Sequence, residues 1–243
     1  MKMNKKLITM LAALGLVGCV GVGSTLAYLT DTTKTVENVF TVGKVDVEIE
    51  ENFEQNSLLM PVTGSAQDTT GKNPLKGGIK KEVFVKGVEG TQPAYVRVHI
   101  AIPNVLDDGD STFDAAKNVL HFNWSGYDYK GSDNQWCWFD KVGGSNWNYY
   151  ETTVDGVLYD VYVVTYLQTL EAGETTETAA MNQVYLDKKV TSSDVEKINA
   201  KLGDDWKILV AAEAVQAANF DDAYSALKAG FGDPTAENSP FNK

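Results

Sequence analysis

Two histidines, His99 and His121, and two cysteines, Cys19 and Cys137, are the only imidazoles and thiols in this chain. Catalytic zinc usually takes three protein ligands, often two histidines one helical turn apart with a glutamate beside them. No HExxH pattern occurs, and His99 falls in an alternating β pattern next to Arg97. A site using both histidines and a carboxylate is geometrically open, but nothing in the spacing asks for it. Serine chemistry fares no better, since no GxSxG elbow or Ser/His pairing stands out. The expectation is therefore a protein that is not an enzyme, with no catalytic or metal-ligating residue assigned.

Two further clusters could bind a ligand. The acidic loop Asp107, Asp108 and Asp110, with Asp114 nearby, offers oxygen ligands of the kind calcium prefers. It lacks EF-hand spacing and the terminal glutamate, so a solvated loop is the plainer reading and no cofactor is expected. The aromatic stretch from His121 to Tyr150 holds Trp124, Trp136, Trp138 and Trp147, with Tyr127, Tyr129, Tyr149 and Tyr150. Aromatic faces on a sheet can stack on sugar rings, which would make a glycan-binding surface. The same residues can serve as core or interface, and alternation places Trp136 and Trp138 on one face.

The elements that would position these residues are mostly short strands. Val45, Val47 and Ile49 alternate with Asp46, Glu48 and Glu50, a half-buried strand. Residues 53–78 lose periodicity and form a long loop. Strands are expected over Ile79–Val85 and Ala94–Ile102, with Val96, Val98, Ile100 and Ile102 on one face and Tyr95, Arg97 and His99 on the other. Pro103 stops the second of these. A short helix is expected over 113–119, and a hairpin turn at Gly143-Gly144. Asp155-Gly156 is the hairpin turn joining 147–153 to the apolar strand 157–170. Glu171–Glu174 is a further turn, and 175–186 reads as a strand crossing back. Ser193-Asp-Val-Glu196 has capping-box form for a helix ending at Gly203, a strand spans 206–216, and Asp221/Asp222 start a helix ending at Gly230. These signals predict an all-β, jelly-roll-like two-sheet β-sandwich with a few short helices, over residues 41–232. Residues 233–243 are expected as a flexible polar tail.

The N-terminus carries a different kind of signal. Lys2, Lys5 and Lys6 precede the apolar run Leu7–Val17 and the small residues Gly21, Gly23, Ser24 and Ala27. About a dozen apolar residues are too few to span a bilayer, so residues 1–27 read as a secretory signal peptide cut between Ala27 and Tyr28. A competing route stands beside it. Leu16-Val17-Gly18-Cys19 has lipobox form, and a lipid on Cys19 would tether the chain to the membrane face. Against that route, the residues after Cys19 stay apolar and small. Removing residues 1–27 takes three lysines, so the net charge moves from −12 to −15. Such a chain repels nucleic acid and stays soluble. Only Cys137 remains, so the processed chain forms no intrachain disulfide.

The segment Gly23-Ser-Thr-Leu-Ala-Tyr-Leu-Thr-Asp31, followed by Asn38-Val-Phe-Thr-Val-Gly43, resembles the TasA/camelysin-like family. These are secreted Gram-positive surface and biofilm-matrix proteins exported through a dedicated signal peptidase of the SipW type. Three later segments are also similar to relatives: 79–100 with Gln92-Pro-Ala-Tyr-Val-Arg-Val98, the Leu170–Glu174 turn, and 212–217 with the helix after it. The resemblance implies a jelly-roll sandwich, cleavage after Ala27, and a place in a cell-surface or extracellular-matrix fibre. Some members are described as metalloproteases, which is the least favoured reading here. Cys19 departs from the family, as does the aromatic stretch 121–150.

Residues 28–40 carry the most specific expectation. Tyr28, Leu29, Val36, Val39 and Phe40 are apolar anchors around a threonine-rich run that favours extended structure and contains no Pro or Gly. Cleavage would free this segment to donate a strand to another copy, giving a homopolymer by strand exchange. It could equally fold back as the first strand of its own sheet. The leading function is thus a secreted structural subunit. A cell-wall or matrix glycan bound by the tryptophan cluster is the alternative.

Overall fold

The computed structural model describes residues 45–54, 59–61, 78–107, 119–123, 135–203 and 206–242. The first strands are β1 (Val47–Phe53) and β2 (Ile79–Gly87), antiparallel with Val47 opposite Gly87 and Phe53 opposite Lys81. In β2 the period of two buries Ile79, Val83 and Val85 while Lys80 stays exposed. Lys81 keeps that period and departs only in being charged. It lies buried on the apolar side, its Nζ 3.1 Å from Glu51 and 5.1 Å from the centre of the Phe53 ring.

The chain continues as β3 (Ala94–Pro103), β4 (Leu120–Asn123), β5 (Trp136–Cys137), β6 (Tyr149–Val154), β7 (Val157–Tyr166) and β8 (Gln183–Leu186). Helix α1 (Ser192–Leu202), β9 (Leu209–Gln216), α2 (Ala223–Phe231) and a 3-10 turn at Pro240–Asn242 complete it. One sheet has the order β1-β2-β8-β4. The other has the order β5-β7-β3-β9, with β6 in line with β5 along the same edge of β7. All named pairings are antiparallel. Because the chain changes sheet after β2, β3, β4, β7 and β8, the strands interleave as in a jelly roll. This is the all-β two-sheet sandwich that the short alternating strands imply.

Between the sheets lies the main core, where Val83, Val85 and Val184 meet Val96, Val98, Ile100, Ile102, Tyr162, Val164 and Tyr166. A second, smaller core lies on the far side of the β9-containing sheet. There Ala101, Tyr150, Tyr159, Val161 and Val163 are covered in part by Phe241. Both faces of β3 are consequently buried. Arg97 and His99, expected on a polar face, are 3 % and 0 % exposed because α2 and the chain after it lie over them.

Local turn chemistry follows the sequence closely. Asp155 and Gly156 both have positive φ (51° and 82°), the two-residue turn whose twist suits a hairpin. Gly173 sits at φ 75° in the 171–174 turn, and Gly203 at φ 78° ends α1. Three details differ. Residues 175–182 do not form a continuous strand. Thr176 N–H bonds Val85 O at 2.8 Å and Ala180 N–H bonds Val83 O at 2.7 Å, so four residues run against two and the regular ladder starts only at Gln183. The capping box uses Thr191 and Asp194 instead of Ser193 and Glu196, since Thr191 is where the chain is still extended. Helix α2 runs past Gly230 to Phe231 and is closed by Gly232 at φ 77°.

Residues 233–242, expected as a flexible tail, lie hydrogen-bonded against the sandwich. Tyr150 Oη is 3.1 Å from Ser239 Oγ, Thr152 bonds Asn242 at 3.3 Å, and Ser239 is buried. The signal segment 1–27, the segment 28–40 and all but Val119 of the helix expected at 113–119 fall outside the described residues; Val119 is buried just before β4. No helix among the described residues is long and apolar enough to cross a membrane.

Candidate functional site

Strand β9 closes one side of its sheet. Its sequence, LVAAEAVQ, has a single charge, and among the described residues it pairs with β3 alone. Ala217 N–H donates to Pro93 O at 2.9 Å, and the register sets Gln216 opposite Ala94. The alternation of an antiparallel ladder then turns the N–H and C=O groups of Val210, Ala212, Ala214 and Gln216 away from β3. Most of the strand is half-buried. The opposite sheet ends on β1, which carries exposed Glu48, Glu50 and Glu51. Charged side chains blunt an edge against further pairing, and an uncharged edge invites it.

The one charge on β9, Glu213, is directed inward and anchors a buried network. Arg97 Nε donates to its Oε2 at 2.7 Å, and His99 Nε2 lies 3.0 Å from the same oxygen. On the other side of the imidazole, Nδ1 is 3.0 Å from Tyr150 Oη, which continues to Ser239 Oγ. Arg97 Nη1 donates to Gly232 O at 3.1 Å, its guanidinium lies 5.6 Å from the Phe231 ring centre, and Nη2 has no partner among the described residues. Burial pushes the His99 pKa below its ordinary value, outweighing the attraction of Glu213. Burial alone would raise the Glu213 carboxyl, but the His99 hydrogen bond and the Arg97 charge hold it low. The Tyr150 hydroxyl is pushed up to about 12, chiefly by burial. With a neutral imidazole, Nε2–H donates to Glu213 and Nδ1 accepts the Tyr150 proton. Protonation turns Nδ1 into a donor, and the Tyr150 proton then swings to Ser239.

His121 lies in the other sheet with a partner of its own, Asp187, at 2.8 Å from Nε2. Burial lowers its pKa against the pull of that carboxylate. The two histidines, one in each sheet, thus bond to separate carboxylates. Among the described residues no group of three or more His, Cys, Asp or Glu side chains could hold a metal ion. Asp107 is turned inward, where Tyr162 donates to its carboxylate at 2.7 Å. Asp108 and Asp110 fall outside the described residues.

Two of the tryptophans lie in the core, which rules out the glycan alternative for them. Trp136 and Trp138 are fully buried and cannot meet a glycan on this fold. Trp136 donates its Nε1–H to Thr178 O at 2.9 Å and packs 4.9 Å from Tyr166, while Trp138 stacks on Phe122 at 5.4 Å. Their shared face is the core face. Trp147 is half-buried with its ring stacked on Phe139 at 5.1 Å. Trp124 falls outside the described residues, as do Cys19, Ala27, Tyr28, Leu29, Val36, Val39 and Phe40.

Reading residues along the sequence missed Glu213 and Ser239 and placed Tyr150 only in the aromatic stretch. The usable signal was a lone glutamate inside an apolar strand, which needs a cation, and Arg97 and His99 two residues apart on a strand could supply one. No family model matches the chain, and no curated protein and no solved structure matches it either.

Proposed function

We propose that this chain is a secreted structural protein, a subunit of a cell-surface or biofilm-matrix fibre that assembles through its processed N-terminal strand. The observation that carries this reading is the edge of β9, which has no second pairing strand among the described residues and whose only charge is tied inward. An extended strand from a second copy would satisfy the outward N–H and C=O groups of Val210, Ala212, Ala214 and Gln216. Residues 28–40 suit that part, being threonine-rich, free of Pro and Gly, and anchored by Tyr28, Leu29, Val36, Val39 and Phe40. The resemblance of residues 23–43 to the TasA/camelysin-like family points the same way. Export would act as the switch, because only cleavage after Ala27 frees the donor end. On this reading the chain works by assembly and carries out no catalysis.

The test is to delete residues 28–35 from the processed protein and compare it with the intact form by electron microscopy and circular dichroism. The shortened protein is expected to keep its β-rich spectrum and form no filaments. Filaments made as readily by the shortened protein would sink the proposal.

A further inference from the structure

The outer face of the β9-containing sheet is closed by a cover that differs chemically from the sandwich beneath. Helix α2 packs on β3, β7 and β9, and the chain from Gly232 to Asn242 follows over the same face. Its apolar contribution is modest: Ala223, Ala226 and Leu227 from the helix, with Phe241 beyond. Much of its attachment is polar and converges on one buried cluster. Gly232 O accepts from Arg97, Ser239 Oγ meets Tyr150, and Tyr150 meets His99, which meets Glu213.

That cluster holds one cation and one anion while His99 is neutral. Glu213 from β9, Arg97 from β3 and Tyr150 from β6 are the charged or titratable groups that face the imidazole, and Lys228 of α2 turns away to Asp233 at 2.9 Å. A proton on His99 places a second buried cation beside Arg97, with Glu213 the one carboxylate bonded to both among the described residues. It also reverses the His99–Tyr150 bond, leaving Tyr150 to donate to Ser239 Oγ, which accepts from the Phe241 N–H as well. Arg97 Nη2, without a partner among the described residues, gains water if the cover lifts. The layer excluding water is the cover, so lifting it relieves the charge without separating the sheets.

We propose that α2 and residues 232–242 form an acid-opened cover, released as a unit when His99 takes up a proton while the sandwich beneath stays folded. Local opening below the global free energy is ordinary for peripheral elements, and histidine is the usual proton sensor in this range. The device is independent of the fibre reading and of which edge accepts a strand.

Amide hydrogen exchange on the full chain at about pH 7.5 and about pH 5, corrected for intrinsic exchange, reads it directly. Amides of α2 and 232–242 should exchange several-fold faster at the lower pH, while those of β3 and β7 hold. His99→Gln offers an amide N–H to Glu213 and an oxygen to Tyr150 but does not titrate, so it should abolish the acceleration. An unchanged acceleration in H99Q, or acceleration shared equally by β3 and β7, would overturn the proposal. Should H99Q fail to fold, Tyr150→Phe decides. The cover should then exchange faster already at about pH 7.5 with the sheets protected, and protection equal to the unaltered chain would refute the tie through Ser239.

Discussion

Tyr162 donates its hydroxyl to the Asp107 carboxylate at 2.7 Å, joining the middle of β7 to the chain just beyond β3 inside the sandwich. Both side chains are nearly inaccessible, at 4 % and 2 % exposed. A buried carboxylate is tolerated only while donors replace its water, so this bond holds the turn after Pro103 against the core. Tyr162→Phe keeps the ring packing and removes one donor. It should cost about 1.5–3 kcal/mol, the range for hydrogen bonds to charged groups, in urea denaturation. A loss below that range would show that other donors carry Asp107.

The two buried histidines set the acid response of the fold. Each has its pKa lowered from 6.5 in the native state, His99 and His121 both chiefly by burial. The unfolded chain therefore takes up protons first as pH falls, and stability rises with pH where the two states differ. Stability should be full above 6.5, decline as pH falls from 6.5 towards the native values, and then level with respect to these two groups. Melting curves across that interval check the slope. His99→Gln with His121→Gln should flatten it, and a slope unchanged in the double variant would assign the acid response elsewhere.

On β9 the N–H of Ala212 points away from β3, so proline there deletes a donor without breaking the existing ladder. Ala212→Pro should leave the far-ultraviolet spectrum near that of the unaltered chain and suppress filament growth. If filaments form at the normal rate, β9 is not the accepting edge. Equivalent proline placement at Glu213 would remove a β3 bond and the buried carboxylate together, and should unfold the protein.

The hairpin between β6 and β7 rests on Gly156, whose φ is 82° with open space where a Cβ would go. Gly156→Ala meets no neighbour, so its cost is backbone strain alone, about 1–2 kcal/mol for an L-residue held left-handed. Chemical denaturation should show that loss with no change in the cover's exchange. A neutral substitution would mean that the turn relaxes to another type.

What the sequence determined by itself is local. The period of two in Ile79–Val85 and in Val96–Ile102 marks strands because successive side chains must point to opposite faces. Asp155-Gly156 and Gly203 mark reversals because they take left-handed backbone at little cost. Two sheets follow, since many short strands with one apolar face have to cover each other. What each second face meets was decided only by the tertiary structure. Arg97 and His99 look like a solvated face until β9 pairs beside them, bringing in Glu213 from 116 and 114 positions away, and α2 and residues 232–242 lie over all three. Trp136 and Trp138 share a face on any strand, yet their neighbours Tyr166 and Phe122 make that face the core. Which strand ends a sheet is likewise a matter of strand order. β9 ends a sheet because it pairs with β3 alone among the described residues, and no pattern within its eight residues contains that information.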